Sequence, residues 1–272
     1  LGRSARPVER QDIPGPMRWL ATALCLVPFA GGFVLPVAVM LAHAIKAPQG
    51  WLAPGLAQAL ANTLVVGGIA ALITVGAALF MVYALRLTRS PVLRLLMPLT
   101  LLGYAAPGAV LALGLLFPLA ALDHRLADAV LALTGRDPWL LITGTAFALG
   151  LAYVVRFFGI AQGAVEAAFG RVAPSLPMAA RSLGRTAGGA LGAVYLPLMR
   201  GSVLTACLVV FVDCVKELPA TLVLRPFNYN TLSTRVFELA SLERLSEAAP
   251  AALLVMAVGM AAVWLVARGE RD

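Results

Sequence analysis

Ser175-Leu-Pro-Met-Ala-Ala-Arg-Ser-Leu-Gly184, continuing as Arg185-Thr-Ala-Gly-Gly-Ala-Leu-Gly-Ala-Val-Tyr-Leu-Pro197, is a polar interruption in a strongly apolar chain. The runs around it are long enough to cross a bilayer. The segment from Phe157 to Pro197, with Arg171, Arg181 and Arg185 and no spanning run, is therefore expected outside the lipid. Ser175 can cap a short helix, Pro177 fits the first turn where a missing N–H costs nothing, and Gly184 supplies the left-handed residue that ends it. A second short helix, Ala187 to Tyr195, is expected to stop before Leu196-Pro197, because proline disfavours helix in the residue before it. Small residues on both helices (Ala179, Ala180, Gly188, Gly189) let a partner approach closely. Two readings fit this composition: an amphipathic connector lying on the headgroups, or a knob that receives a soluble partner.

The spacing bears on that choice. Ala179-Ala180, three residues, Gly184, nine residues, Val194, one residue and then Leu196-Pro197 resembles the cytoplasmic loop signature of ABC importer permeases, E-A-A-x3-G-x9-I-x-L-P. The resemblance implies that Met178, Ala179, Ala180, Gly184, Val194, Leu196 and Pro197 form the loop that couples the permease to its ATPase. Met178 stands where the family carries glutamate, so any ion pair made by that glutamate is missing. The helix-turn-helix shape set by glycine and proline is retained.

Composition fixes the class. Of 272 residues, 61% are hydrophobic and 12% charged, and the mean hydropathy is +0.90. A soluble domain carries about 25% charged residues. The chain is expected to be an all-α, polytopic membrane protein. Its net charge of +8 would suggest nucleic acid in a soluble chain, but the arginines fall between apolar runs, where membrane topology places them, so no nucleic-acid partner is expected. Cys25, Cys207 and Cys214 all lie in apolar runs; Cys207 and Cys214 share a helix face two turns apart, too far for a disulfide. His43 and His124 sit in no zinc spacing, so neither a metal site nor a cofactor is expected.

Six spans are read: Arg18 to Ala44, kinked at Pro28 and Pro36; Leu56 to Leu85, opening with Asn62-Thr63; Leu95 to Ala121, with Tyr104-Ala-Ala-Pro107-Gly108 in its middle; Trp139 to Phe158; Leu198 to Leu218; and Ala248 to Val266. Residues 1–16 read as a polar linker on a chain cut from something longer, and 17–272 as the transmembrane domain. Trp51 is placed as an interfacial anchor, Arg86, Arg89 and Arg94 in a tight basic loop, and Asp123 to Pro138 in a polar loop. With the N-terminus inside, 14 of the 21 basic residues, Arg156 among them, fall on the cytoplasmic side. Six fall outside, and Lys216 lies within the membrane. Both termini and the 175–197 loop are thereby expected in the cytoplasm.

Two features inside the spans bear on transport. A Pro-Gly pair at Pro107-Gly108 frees backbone groups that lipid cannot satisfy; it is either a simple kink or a face that packs on protein or lines a wet cavity, with Tyr104 beside it. The fifth span carries Asp213, Lys216 and Glu217. Unpaired at the bilayer centre, each charge costs about 2.5 to 3.5 kcal/mol, whereas a Leu or Val returns about 0.3 to 0.6. Asp213 and Lys216, three apart on one face, can pair and leave Glu217 to find water or another subunit. These charges either lock the helix end or line a solute path or its gate, together with Tyr104 and Pro107.

From Lys216-Glu-Leu-Pro-Ala-Thr-Leu-Val-Leu-Arg-Pro-Phe-Asn-Tyr-Asn-Thr-Leu-Ser-Thr-Arg-Val-Phe-Glu-Leu-Ala-Ser241 to Glu247-Ala-Ala-Pro250, the chain resembles the C-terminal half of ferric iron ABC transporter permeases. The helix is expected to break at Pro219 and Pro226, and Thr231 to Leu239 to form a short helix on the outer face. The resemblance implies six transmembrane helices in the type I, methionine-importer-like fold, in the bacterial inner membrane. It also implies cytoplasmic ATPase subunits that bind the ATP, a second permease half and a periplasmic substrate-binding protein. Sulfate, molybdate, polyamine and thiamine importers share fold and signature and remain open as alternatives, as does an ion-coupled secondary transporter using the charges of the fifth span. No His-Glu-x-x-His, Gly-x-Ser-x-Gly or phosphate-loop motif occurs, so no catalytic residue is expected.

Overall fold

A computed structural model of the chain describes residues 15–88 and 90–269. The expected linker falls outside it apart from its last two residues, as do Arg89 and Arg271. The described chain is helical, and six helices are long and apolar enough to cross a membrane: α1 (Met17–Lys46), α2 (Leu56–Thr88), α4 (Gly108–Thr134), α5 (Ala146–Arg171), α7 (Ala187–Val215) and α10 (Leu245–Gly269). Four shorter helices complete it: α3 (Pro91–Ala105), α6 (Ser175–Ser182), α8 (Pro219–Leu224) and α9 (Leu232–Ser241). The chain is a multi-pass membrane protein.

The core is a three-helix contact of α2, α5 and α7. On α2 the buried positions Ala59, Asn62, Thr63, Val66, Ala70, Val75, Ala78 and Val82 follow one helical stripe. Val66, Ala70, Val75, Ala78 and Val82 of this stripe share a core with Ala152, Ala161, Val165 and Ala168 of α5. Alanine at helical spacing lets the two backbones approach, which is how helices gain packing energy where no water drives them together. Helix α1 stays outside this core, held to α10 through His43 Nδ1 and Ser246 Oγ at 3.1 Å.

Two of the long helices contain a π turn, Ala30–Val34 in α1 and Leu191–Tyr195 in α7. Each is followed at the same offset by a proline, Pro36 or Pro197. A proline ring collides with the carbonyl four residues earlier; a π turn widens the helix at that residue and lets it continue. The expected stop before Leu196-Pro197 is therefore absent, and α7 runs unbroken from Ala187 rather than starting at Leu198.

Four boundaries differ from the sequence expectation. The third span is two helices, because pre-proline Ala106 is extended (φ −70°, ψ 139°) and Pro107 starts α4. Asp123 to Pro138 is not a polar loop: α4 runs on to Thr134 and ends at Gly135 with φ +69°. Asp123 is fully buried, accepting the backbone N–H groups of Leu141 (2.7 Å), Ile142 and Thr143 (2.7 Å) and the Thr143 hydroxyl. It ties down the irregular stretch before α5, which begins at Ala146 under a Thr145 cap and not at Trp139. Finally, α5 continues to Arg171 and packs its inner face into the core, Val172 is still buried there, and the protruding segment begins after it.

The role given to Asp123 is open to a direct check. In Asp123→Ala the amides of residues 141–143 lose their acceptor, and hydrogen exchange is expected to rise across 139–145 while the buried centre of α5 keeps its protection.

Candidate functional site

Two breaks meet inside the helical bundle. One is Ala106-Pro107 between α3 and α4; the other is Lys216 to Leu218 between α7 and α8. Arg156 lies between them on α5, ten residues from Ala146 and fifteen from Arg171. At 1.5 Å per residue that is about 15 Å and about 22 Å from the two helix ends, well inside the apolar layer. Its Nε donates to Glu217 Oε2 at 2.8 Å, and its Nη1 donates to the Ala106 carbonyl at 2.8 Å. Glu217 Oε1 accepts the Ala220 N–H at 3.1 Å, and the Thr221 hydroxyl donates to the Glu217 carbonyl at 2.7 Å. The Thr221 hydroxyl also lies 2.6 Å from that of Tyr153. The Ala106 carbonyl is thus satisfied by a side chain of the neighbouring α5, and the Ala220 amide and Glu217 carbonyl by local side chains, as a bilayer demands. The side chains of Arg156 and Glu217 are 16% and 7% exposed.

Gly108 is required here by close approach. A Cβ at this position would lie 2.6 Å from Glu217 Oε1 and 3.2 Å from Arg156 Cζ. The motif Pro107-Gly108 is therefore more than a kink: proline opens the helix, and glycine lets the ion pair reach the opening.

The five residues expected at a solute path divide. Pro107 and Glu217 come together around Arg156. Tyr104 is one turn before the break and 54% exposed. Asp213 and Lys216 form the expected pair at 2.6 Å, but in a cleft against Ala262, Val263 and Val266 of α10. Glu217 is not left to water or another subunit, and Arg156 is not at a membrane surface; its removal from the basic-side count leaves thirteen against six. Sequence reading missed Arg156 by counting it among the cytoplasmic basic residues although it fell within the fourth span; a lone arginine in Tyr153-Val-Val-Arg156-Phe-Phe, opposite in sign to Glu217, was the available signal.

The 175–197 loop forms a second cluster. Helix α6 spans eight residues and ends as expected before Gly184, whose φ is +84°. Ser175 opens the helix without capping it; Pro174 holds the cap position. Thr186 caps α7 by accepting the Gly189 N–H at 3.1 Å. Tyr83, near the end of α2, donates to the Ala187 carbonyl at 2.5 Å. Its ring packs 6.0 Å from Phe169 and 5.6 Å from Tyr195, which lie 4.9 Å apart. These three rings hold the ends of α2, α5 and α7 together beneath the loop. Ala179, Ala180 and Gly184 lie on the projecting part. Val194, Leu196 and Pro197 lie in the π turn and the helix that follows it.

At the opposite end, Asn62 and Thr63 bind the chain after α8. Asn62 Nδ2 donates to the Asn230 carbonyl at 2.9 Å, and Thr63 Oγ1 accepts the Leu232 N–H at 2.8 Å. Helix α9 starts under a Thr231–Thr234 capping box, close to the expected helix. Arg225 pairs with Glu238 and bonds Asn230. Burial raises the Tyr229 phenol above its ordinary range, so it stays a donor facing the Asn62 carbonyl.

The chain superposes on a chain of a bacterial alginate ABC transporter, solved with an alginate pentasaccharide-bound periplasmic protein, with a TM-score of 0.67 and 13% identity over 93% of this chain and 94% of that one. A second structure of a bacterial ABC transporter involved in alginate import gives 0.65 and 15% over 94% and 96%. The fold is that of an ABC-transporter permease. In sequence, the chain is 29% identical over 199 residues to the Fe(3+)-transport system permease protein FbpB 2 of Haemophilus influenzae, covering 73% of this chain. The chain spans 36% of the length of that relative. No family model matches. The resemblance to ABC importer permeases read from the loop and the C-terminal stretch is thus met in both sequence and fold.

Removing one member of the buried pair leaves the other uncompensated, so Glu217→Ala is expected to lower stability by about 3 to 5 kcal/mol. Thermal unfolding in detergent measures this, and the exchanged pair Arg156→Glu with Glu217→Arg is expected to recover part of the loss. Gly108→Ala is expected to destabilise by displacing the carboxylate.

Proposed function

We propose that the chain is the transmembrane permease half of a binding-protein-dependent ABC importer in a bacterial inner membrane, carrying ferric iron. The observation that carries the reading is the protruding helix-turn-helix: a short helix ended by a left-handed glycine, seated by three aromatic rings on the ends of the core helices. ATP is hydrolysed on separate cytoplasmic subunits, whose closure moves this knob as a rigid body. Helix α7 carries that movement about 43 Å from Ala187 to the mid-membrane break, at 1.5 Å for each of its 29 residues.

The excess of basic residues at the loop end supports a cytoplasmic loop and cytoplasmic N- and C-terminal sides. A second permease half completes the solute path beside Glu217, Pro107 and Tyr104, and a periplasmic binding protein delivers the solute at the α8–α9 end. The ferric iron assignment draws support from the Haemophilus influenzae relative and from the Lys216–Pro250 resemblance. An ion-coupled transporter is the rival reading; uptake that follows a proton or sodium gradient and ignores ATP would establish it.

The coupling role is tested at Gly184. A β-branched residue is strained at φ +84°, so Gly184→Val is expected to abolish most ATP-dependent ferric uptake in proteoliposomes while insertion and folding are retained. Uptake at the wild-type rate would refute the coupling assignment.

A further inference from the structure

Beneath the knob lies a cavity of about 400 Å³, bounded by Tyr83, Arg86, Pro177, Met178, Arg181 and Tyr195 among others. None of its lining residues is acidic. Among the described residues, neither Arg86 nor Arg181 makes an ion pair. Arg86 rests its guanidinium over the Phe169 ring at 5.2 Å, a contact that orients it without neutralising it. The surrounding sequence offers no counter-charge either. From Ala167 to Val212 there are four arginines and no carboxylate, and from Ile13 to Leu122 there is none at all. The nearest acid along α5, Glu166, does not line the cavity. On α6 and at its C-terminal end, Leu176, Met178 and Leu183 are 46%, 66% and 86% exposed.

We propose that this cavity is a carboxylate-binding socket, filled by an acidic side chain of the ATPase subunit whose apolar surroundings cover Leu176, Met178 and Leu183. The proposal rests on reading the loop as the ATPase-docking element and adds the chemistry of the contact. Two guanidiniums on one concave surface present forked donors to a planar carboxylate, an arrangement a single lysine does not provide. The polarity of the contact follows. Met178 has no charge to offer, so the acid comes from the partner and the base from this chain. An anionic lipid headgroup is the competing occupant, but it leaves the exposed Leu183 tip of the knob unexplained.

The test uses the full-length chain reconstituted with its ATPase subunit, in vesicles of neutral phosphatidylcholine and, separately, of phosphatidylcholine with phosphatidylglycerol. Docking is read as the Kd of the fluorescently labelled ATPase subunit at low and moderate salt. Arg86→Gln with Arg181→Gln is expected to weaken docking about tenfold or more in both vesicle types and to flatten the salt dependence. Arg86→Lys with Arg181→Lys is expected to recover only part of the affinity. An unchanged Kd in the double glutamine variant, with the wild type docking normally, overturns the socket and leaves the coupling reading intact. A loss confined to the phosphatidylglycerol vesicles assigns the arginines to lipid and also overturns it. Failure of the wild-type chain to dock the subunit at all removes the coupling reading, and the socket with it.

Discussion

A backbone that leaves the helix inside hydrocarbon must find partners within the protein, and in this chain one arginine answers for two such departures. Arg156 donates to the carbonyl freed at Ala106 and to Glu217, which in turn accepts the amide freed at Ala220. Neither break is tolerable alone in lipid. Together, joined by an ion pair in a space that only glycine at position 108 leaves open, they form a polar centre in the middle of an apolar bundle. Such a centre contributes little net stability compared with an apolar replacement, because desolvating both charges offsets most of their attraction. Its retention is therefore better explained by what it joins than by what it stabilises.

What it joins is mechanically connected to the protruding loop. Helix α5 carries Arg156 and ends at Arg171, just before the loop; α7 leaves the loop at Ala187 and ends beside Glu217. A displacement of the knob, passed through the Tyr83, Phe169 and Tyr195 rings, is applied to both helices at one end and reaches the two members of the ion pair further along. In a close-packed bundle a shift of this kind is transmitted rather than absorbed. Helix α4 packs lightly on the core. Its buried residues are Gly108, Ala112 and Asp123, so it is fixed at two polar points with lightly packed chain between them.

Much of this was legible in the sequence, for identifiable reasons. Spans announce themselves by length and hydropathy, and Gly184 announced its left-handed conformation because a short helix ending in Leu-Gly has few other ways to stop. The Asp213–Lys216 pair was legible because it is local. The Arg156–Glu217 pair was not, since its members are 61 residues apart and their meeting depends on how α5 and α7 pack. Asp123 was misread for a related reason: a charge was taken to mark the end of a span, when its burial is made possible by three amides eighteen to twenty residues later. The continuous α7 escaped because a π turn, which lets proline pass, leaves no clear signature in composition.

The account depends most on where the knob lies. A single cysteine at Leu183, 86% exposed at its tip, placed in a background with Cys25, Cys207 and Cys214 replaced by alanine, reports this with a membrane-impermeant maleimide. Labelling in inside-out vesicles and none in right-side-out vesicles is the predicted result. Labelling from the outer side, or protection in both orientations by burial in lipid, would contradict the central claim that this loop reaches into the cytoplasm to be driven by an ATPase.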